Sequence, residues 1–229
     1  MSFQSDFELW EEKIDAVKAD EIIELRIPAD ELAADSETLA IEAAKDVEAF
    51  TAVGMDATLI EQLKPLAGAL RFCQAEWMGE YRAQKEAQQK WSIESVKGYE
   101  LQKHLLRNFT FAYRKLPNVM KKVRRIREGS GNADMVQDLL ELGVLGQKYP
   151  DPLTDINFNL EVLDVSRSTS HSLSEILAIA NGDSDGSSES KVLRDKAYTL
   201  LLNINREVRE YARFIFWDNP DKKKKYVLS

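Results

Sequence analysis

The chain has 229 residues, of which 44% are apolar and 31% charged, and its formal net charge is −8. That length can bury a substantial core, and the acidic balance argues against a general nucleic-acid binder. Only ten glycines, six prolines and one cysteine are present, which speaks against a turn-rich β-fold and leaves no internal disulfide.

Residues 1–27 mix apolar side chains with many acids and read as an N-terminal acidic segment. Met1 to Asp6 lacks the basic start and apolar run of a signal peptide. Pro28, followed by Ala29, Asp30 and Glu31, marks a helix start, because proline suits the first turn and acids face the positive dipole end. Leu39, Ala43, Val47, Phe50 and Val53 continue at helical spacing to Gly54, a natural stop. A long helix is predicted from Thr58 to about Lys90, with Pro65 kinking it near its start. Its stripe is Leu59, Leu63, Leu66, Leu70, Cys73 and Trp77. Cys73 lies in that stripe and reads as a buried, inert thiol.

Ser92 reads as the N-cap of the next helix, whose stripe runs from Val96 to Ile126 with a kink or a break at Pro117. Asn132 or Asp134 opens a shorter helix stopped by Gly143. Another runs from about Asp155 to Ala180. The last, 189–217, has heptad-like steps through Ala197, Leu201, Ile204, Val208, Tyr211 and Ile215. Residues 218–229 read as a polar tail. The predicted architecture is all-α, a multi-helix bundle of about six helices over 28–217, with halves 28–130 and 131–217. Matches between Val47–Met55 and Val136–Val144, and between segments starting at Ser92 and Ser187, are compatible with a duplicated three-helix unit. They are equally what any two amphipathic helices share. No apolar stretch approaches the roughly 20 residues that span a bilayer, so no membrane is expected, and the lone cysteine points to the cytoplasm.

Charge is sorted along this framework. Residues 1–62 carry 17 acids against 4 cations, and 82–128 carry 13 cations against 4 acids. Such opposed blocks suit pairing within the fold or between copies. The densest part, Lys121 to Arg127, places Arg124 and Arg125 outside an apolar stripe of Val123 and Ile126, making them candidates for interaction. A nucleic-acid interface over 121–127 is the alternative, but no aromatic residue is interleaved for base stacking.

Only two histidines occur, and each has a glutamate one turn away: Glu100 with His104, and His171 with Glu175. Facing each other, these pairs would form a His₂Glu₂ metal site. The three-residue Glu–His spacing and further inward glutamates of the carboxylate di-iron bundles are missing. Asn181 to Gly186 begins like a calcium loop, but Val192 stands where the closing glutamate belongs. No Ser-His-Asp order, Walker loop or dinucleotide glycine fingerprint is present, so no enzyme activity and no cofactor are expected.

Ile126-Arg127-Glu128-Gly129-Ser130-Gly131-Asn132-Ala133-Asp134-Met135-Val136-Gln137-Asp138-Leu139 is followed by Arg194-Asp195-Lys196-Ala197-Tyr198. Glu207-x-Arg209, Phe214-Ile215-Phe216-Trp217 and Tyr226 complete the pattern. With these words the C-terminal half resembles a family of uncharacterised bacterial all-helical proteins. The resemblance implies an all-helical fold and no particular activity. Phe214, Phe216 and Trp217 cannot all face one side of a helix, so the cluster is a candidate contact with a core or a second copy. The function this predicts is a non-enzymatic helical scaffold that contacts itself, as a homodimer, or another protein. A metal- or small-ligand-binding bundle is the alternative.

Overall fold

The computed structural model describes residues 2–182 and 188–227, so the calcium-like stretch from Asp183 to Gly186 lies outside the described residues. The described residues form α-helices and no strand. There are ten: α1 (Phe3–Asp15), α2 (Ala29–Lys45), α3 (Val47–Ala52), α4 (Thr58–Ala112), α5 (Pro117–Ile126), α6 (Asn132–Lys148), α7 (Asp151–Thr154), α8 (Glu161–Ala180), α9 (Glu189–Ile215) and α10 (Pro220–Lys224). The expected six is therefore an undercount. The additions are short or terminal, where propensity alone is a weak guide.

The chain divides into two compact units, Met1–Glu80 with Asp183–Ser229, and Tyr81–Gly182. This division runs across the sequence-derived halves 28–130 and 131–217.

In the first unit, α1, α2 and α3 each pack against α9. Ser2 caps α1 by accepting from the Ser5 amide, and Trp10 and Ile14 bury one face of the helix. The acidic start is thus part of the core. Asp46 separates α2 from α3, dividing the single helical stretch expected over 36–53. Gly54 ends this region at φ +88°, a conformation that costs a side-chain-bearing residue energy. Cys73 is buried in the same core, and burial pushes its thiol up to about 12, which leaves no thiolate for nucleophilic chemistry. The polar tail is anchored too: Tyr226 is buried against Phe50 and Phe216.

α4 continues without interruption through Pro65 and through Ser92. Ser92 sits on an exposed turn, where its hydroxyl donates to the Gln89 carbonyl at 2.7 Å instead of capping a new helix. Of the kink or break expected at Pro117, the structure has the break: α4 ends at Ala112, a 3-10 turn follows, and Pro117 opens α5 at its first turn.

In the second unit, α6 runs along α8. Gly143 does not stop α6, which continues to Lys148. A Cβ there would stand 3.0 Å from the Leu163 carbonyl oxygen, and at Gly146 one would stand 2.6 Å from Leu163 Cδ2. These glycines serve close helix approach. Ser166 and Ser170 of α8 use the closeness, donating to the Leu139 and Val136 carbonyls at 2.6 and 2.7 Å. The start of α8 is later than expected because α7 intervenes and Asn157 turns the chain at φ 54°.

Candidate functional site

Three places on the two units hold chemistry: a buried polar latch, the outer face of α9, and a groove between α5 and α6.

The latch is built on α9. Asn205 and Arg209 lie one turn apart and are both buried. Arg209 Nη2 donates to both Asp35 carboxylate oxygens at 2.7 and 2.6 Å, Nε to Asn205 Oδ1 at 2.7 Å, and Nη1 to the Tyr226 carbonyl at 2.5 Å. Asn205 in turn donates to Ser36 Oγ at 2.7 Å. This satisfies the guanidinium in the planar, forked geometry that suits it. Tyr226 donates its hydroxyl to Asp46 at 2.9 Å, and Lys222 pairs with the same carboxylate. Burial acts to raise the Asp46 carboxyl, but the Lys222 and Tyr226 hydrogen bonds outweigh it and hold the group below the usual carboxylate range. Burial, reinforced by Asp46, pushes the Tyr226 phenol up. A cleft of about 460 Å³ opens beside the latch, edged by Glu31, Asp35, Arg209, Lys224 and Lys225.

These pairs also show how the acidic block is answered. Within the first unit its carboxylates meet Arg71, Arg209, Lys222 and Lys225. The 82–128 cations belong to the second unit. Sequence reasoning missed the latch because Asp35 lies 170 residues from Asn205 and 174 from Arg209. The available signal was a pair of polar residues one turn apart, Asn205 and Arg209, beside the apolar stripe of α9.

The aromatic cluster at the C-terminal end of α9 is divided. Phe216 is buried, stacked on Tyr226 at 5.4 Å, whereas Phe214 and Trp217 are 68% and 75% exposed. Phe214 borders a shallow cleft of about 600 Å³ with Val53, Arg206, Glu210 and Tyr211.

The proposed metal ligands are not brought together. Among the described residues no group of three or more His, Cys, Asp and Glu side chains could hold a metal ion. His104 is exposed, lying against Phe158 at 5.9 Å, and Glu100 is exposed on α4. His171 and Glu175 form an exposed local pair at 3.5 Å on α8. The i,i+4 spacing gives each pair a common helix face, but a ligand set also needs the two faces to converge.

Arg124 and Arg125 are both exposed on α5. Arg125 borders a groove of about 750 Å³ between α5 and α6, with Lys122 beside it. The α6 wall supplies Asp134, Asp138, Glu141, Val144 and Lys148. Asp138 is only 6% exposed, and its carboxylate accepts from Gln102 Nε2 at 2.5 Å. Burial pushes this carboxyl up, and the Gln102 hydrogen bond offsets part of the rise.

In comparisons with protein-family models, curated proteins and solved structures, nothing matches this chain. No helix among the described residues is long and apolar enough to cross a membrane.

Proposed function

We propose that this protein is a non-enzymatic helical scaffold that works through protein contacts and forms a homodimer through the outer face of α9. The observation that carries this reading is the exposure of Phe214 and Trp217 on either side of a buried Phe216. Two large aromatics at one place are a costly surface for a monomer and a common anchor of interfaces. Asn203, Glu207, Glu210 and Phe214 recur at steps of four, three and four along α9. They form a second stripe beside the buried one. Arg206 and Arg213 border it, so each copy offers both signs of charge. A two-fold axis presents the same patch twice, and a mixed-sign patch can then satisfy itself. The single buried cysteine is consistent with a reducing compartment, and we place the protein in the cytoplasm on that ground.

The test is the solution mass of the full chain by light scattering at micromolar concentration, compared with the Phe214→Glu, Trp217→Glu double variant. A two-chain mass that falls to one chain in the variant supports the reading. A one-chain mass for the unaltered protein sinks it.

A further inference from the structure

We propose that the groove between α5 and α6 is a docking site for an amphipathic helix of a partner protein, a helix that is acidic toward one end, apolar in the middle and basic toward the other. The charges of this groove are ordered along its length. Along the N-terminal half of α6 stand Asp134 and Asp138, and Glu141 follows near the middle of the helix. At its C-terminal end stands Lys148, and both Lys148 and Lys122 of α5 have their ammonium groups over the Tyr149 ring, at 6.0 and 5.5 Å. Between Asp138 and Lys148, Leu140 and Val144 lie one turn apart on the groove wall on either side of Glu141, and are 39% and 51% exposed. An acidic end, an apolar middle and a basic end are complementary to a helix carrying the opposite order.

The order also sets a direction. Acids at a helix N-terminus and cations at its C-terminus favour the helix dipole. A partner built that way places its basic C-terminal end against Asp134, Asp138 and Glu141, and so runs antiparallel to α6. Asp138 acts as the reader of that end. It is a desolvated carboxylate with a single neutral donor, Gln102, so it retains acceptor capacity for a lysine or arginine. The same three acids work against a polyanion in this groove, although Arg125 borders it. This favours a helical peptide over nucleic acid as the occupant.

The test uses the full chain and synthetic peptides of roughly 18 residues, long enough for about five helical turns. One peptide has glutamates in its first third, leucines at i,i+4 in its middle and lysines in its last third. Two controls keep the leucines with lysines only or glutamates only. Fluorescence anisotropy reads the affinities. The bipolar peptide is expected to bind at least about tenfold more tightly than either control, roughly 1.4 kcal/mol. Glu141→Lys and Val144→Glu, both at exposed positions, should weaken it by about tenfold or more without lowering the melting temperature. Asp138→Asn should weaken the bipolar peptide and leave a version with alanines in place of its lysines unchanged. Equal binding of all three peptides overturns the proposal, as does no binding by the bipolar one. Displacement of the bipolar peptide by a DNA duplex at low salt would overturn it in favour of a nucleic-acid surface. None of these outcomes depends on whether the chain dimerises through α9.

Discussion

Replacing Asp35 by alanine should be among the most damaging single changes available in the first unit. Arg209 and Asp35 have side chains only 9% and 12% exposed, so the pair is far from the solvated regime in which ion pairs contribute little. Removing the carboxylate deletes two short hydrogen bonds and leaves a guanidinium buried with Asn205 and the Tyr226 carbonyl as its remaining partners. Breaking a buried pair from one side costs about 3–5 kcal/mol. The adjoining cleft lets some water relieve the cation, so the lower end, about 3 kcal/mol, is expected. For a chain of this size that corresponds to a fall in Tm of about 6–12 °C. The assay is thermal and urea unfolding of Asp35→Ala, of Arg209→Met and of the double variant Asp35→Leu, Arg209→Met. The double variant should be clearly more stable than Asp35→Ala, because it leaves no orphaned charge. A loss below about 1 kcal/mol for Asp35→Ala, or a double variant no more stable than Asp35→Ala, would refute the reasoning.

Glycine substitutions should separate close packing from mere flexibility. Gly146→Ala drives a methyl into Leu163 and Phe109, at 2.6 and 2.9 Å, and should destabilise by about 1–3 kcal/mol. Gly79→Ala meets nothing within 4 Å on an exposed turn of α4, and should stabilise by about 0.5–1 kcal/mol; urea midpoints check both. Asp138→Asn should stabilise at neutral pH. The carboxyl titrates higher in the folded chain than in the unfolded one, so its contribution to stability is present below the unfolded pKa and lost as pH rises through the folded pKa. The gain from asparagine should therefore vanish in acid, and unfolding series at acid and neutral pH reveal the trend. A stability gain accompanied by lost peptide affinity is the pattern expected where a binding group is held in an unfavourable setting.

How much of this was legible in the sequence depends on the range of the interaction. Pro28 marked a helix start and Pro117 an interruption correctly, because a proline's fixed φ and missing N–H act locally. The apolar stripes of α4 and α9 identified buried residues such as Leu63, Leu66, Leu70, Leu201 and Val208. Signals with two physical meanings misled. Ser92 resembles a cap but only bonds back to its own helix, and Gly143 resembles a stop but admits the approach of α8. Tyr226 looked like part of a solvated tail because its partners, Glu42 and Asp46, lie 184 and 180 residues away. The same limit applies to the sites. The histidine spacing gave two local pairs and could not tell whether they converge. Arg125 was recognisable as an exposed cation, whereas the acids of α6 that share its groove required the fold.

The central claim, a scaffold that pairs through the outer face of α9, is tested most directly by the mass of the full chain in solution. Light scattering coupled to size exclusion should give about 52 kDa, twice the 26.1 kDa of one chain. The Phe214→Glu, Trp217→Glu variant should give the single-chain mass with an unchanged melting temperature at high dilution. A single-chain mass for the unaltered protein throughout the micromolar range would contradict the account.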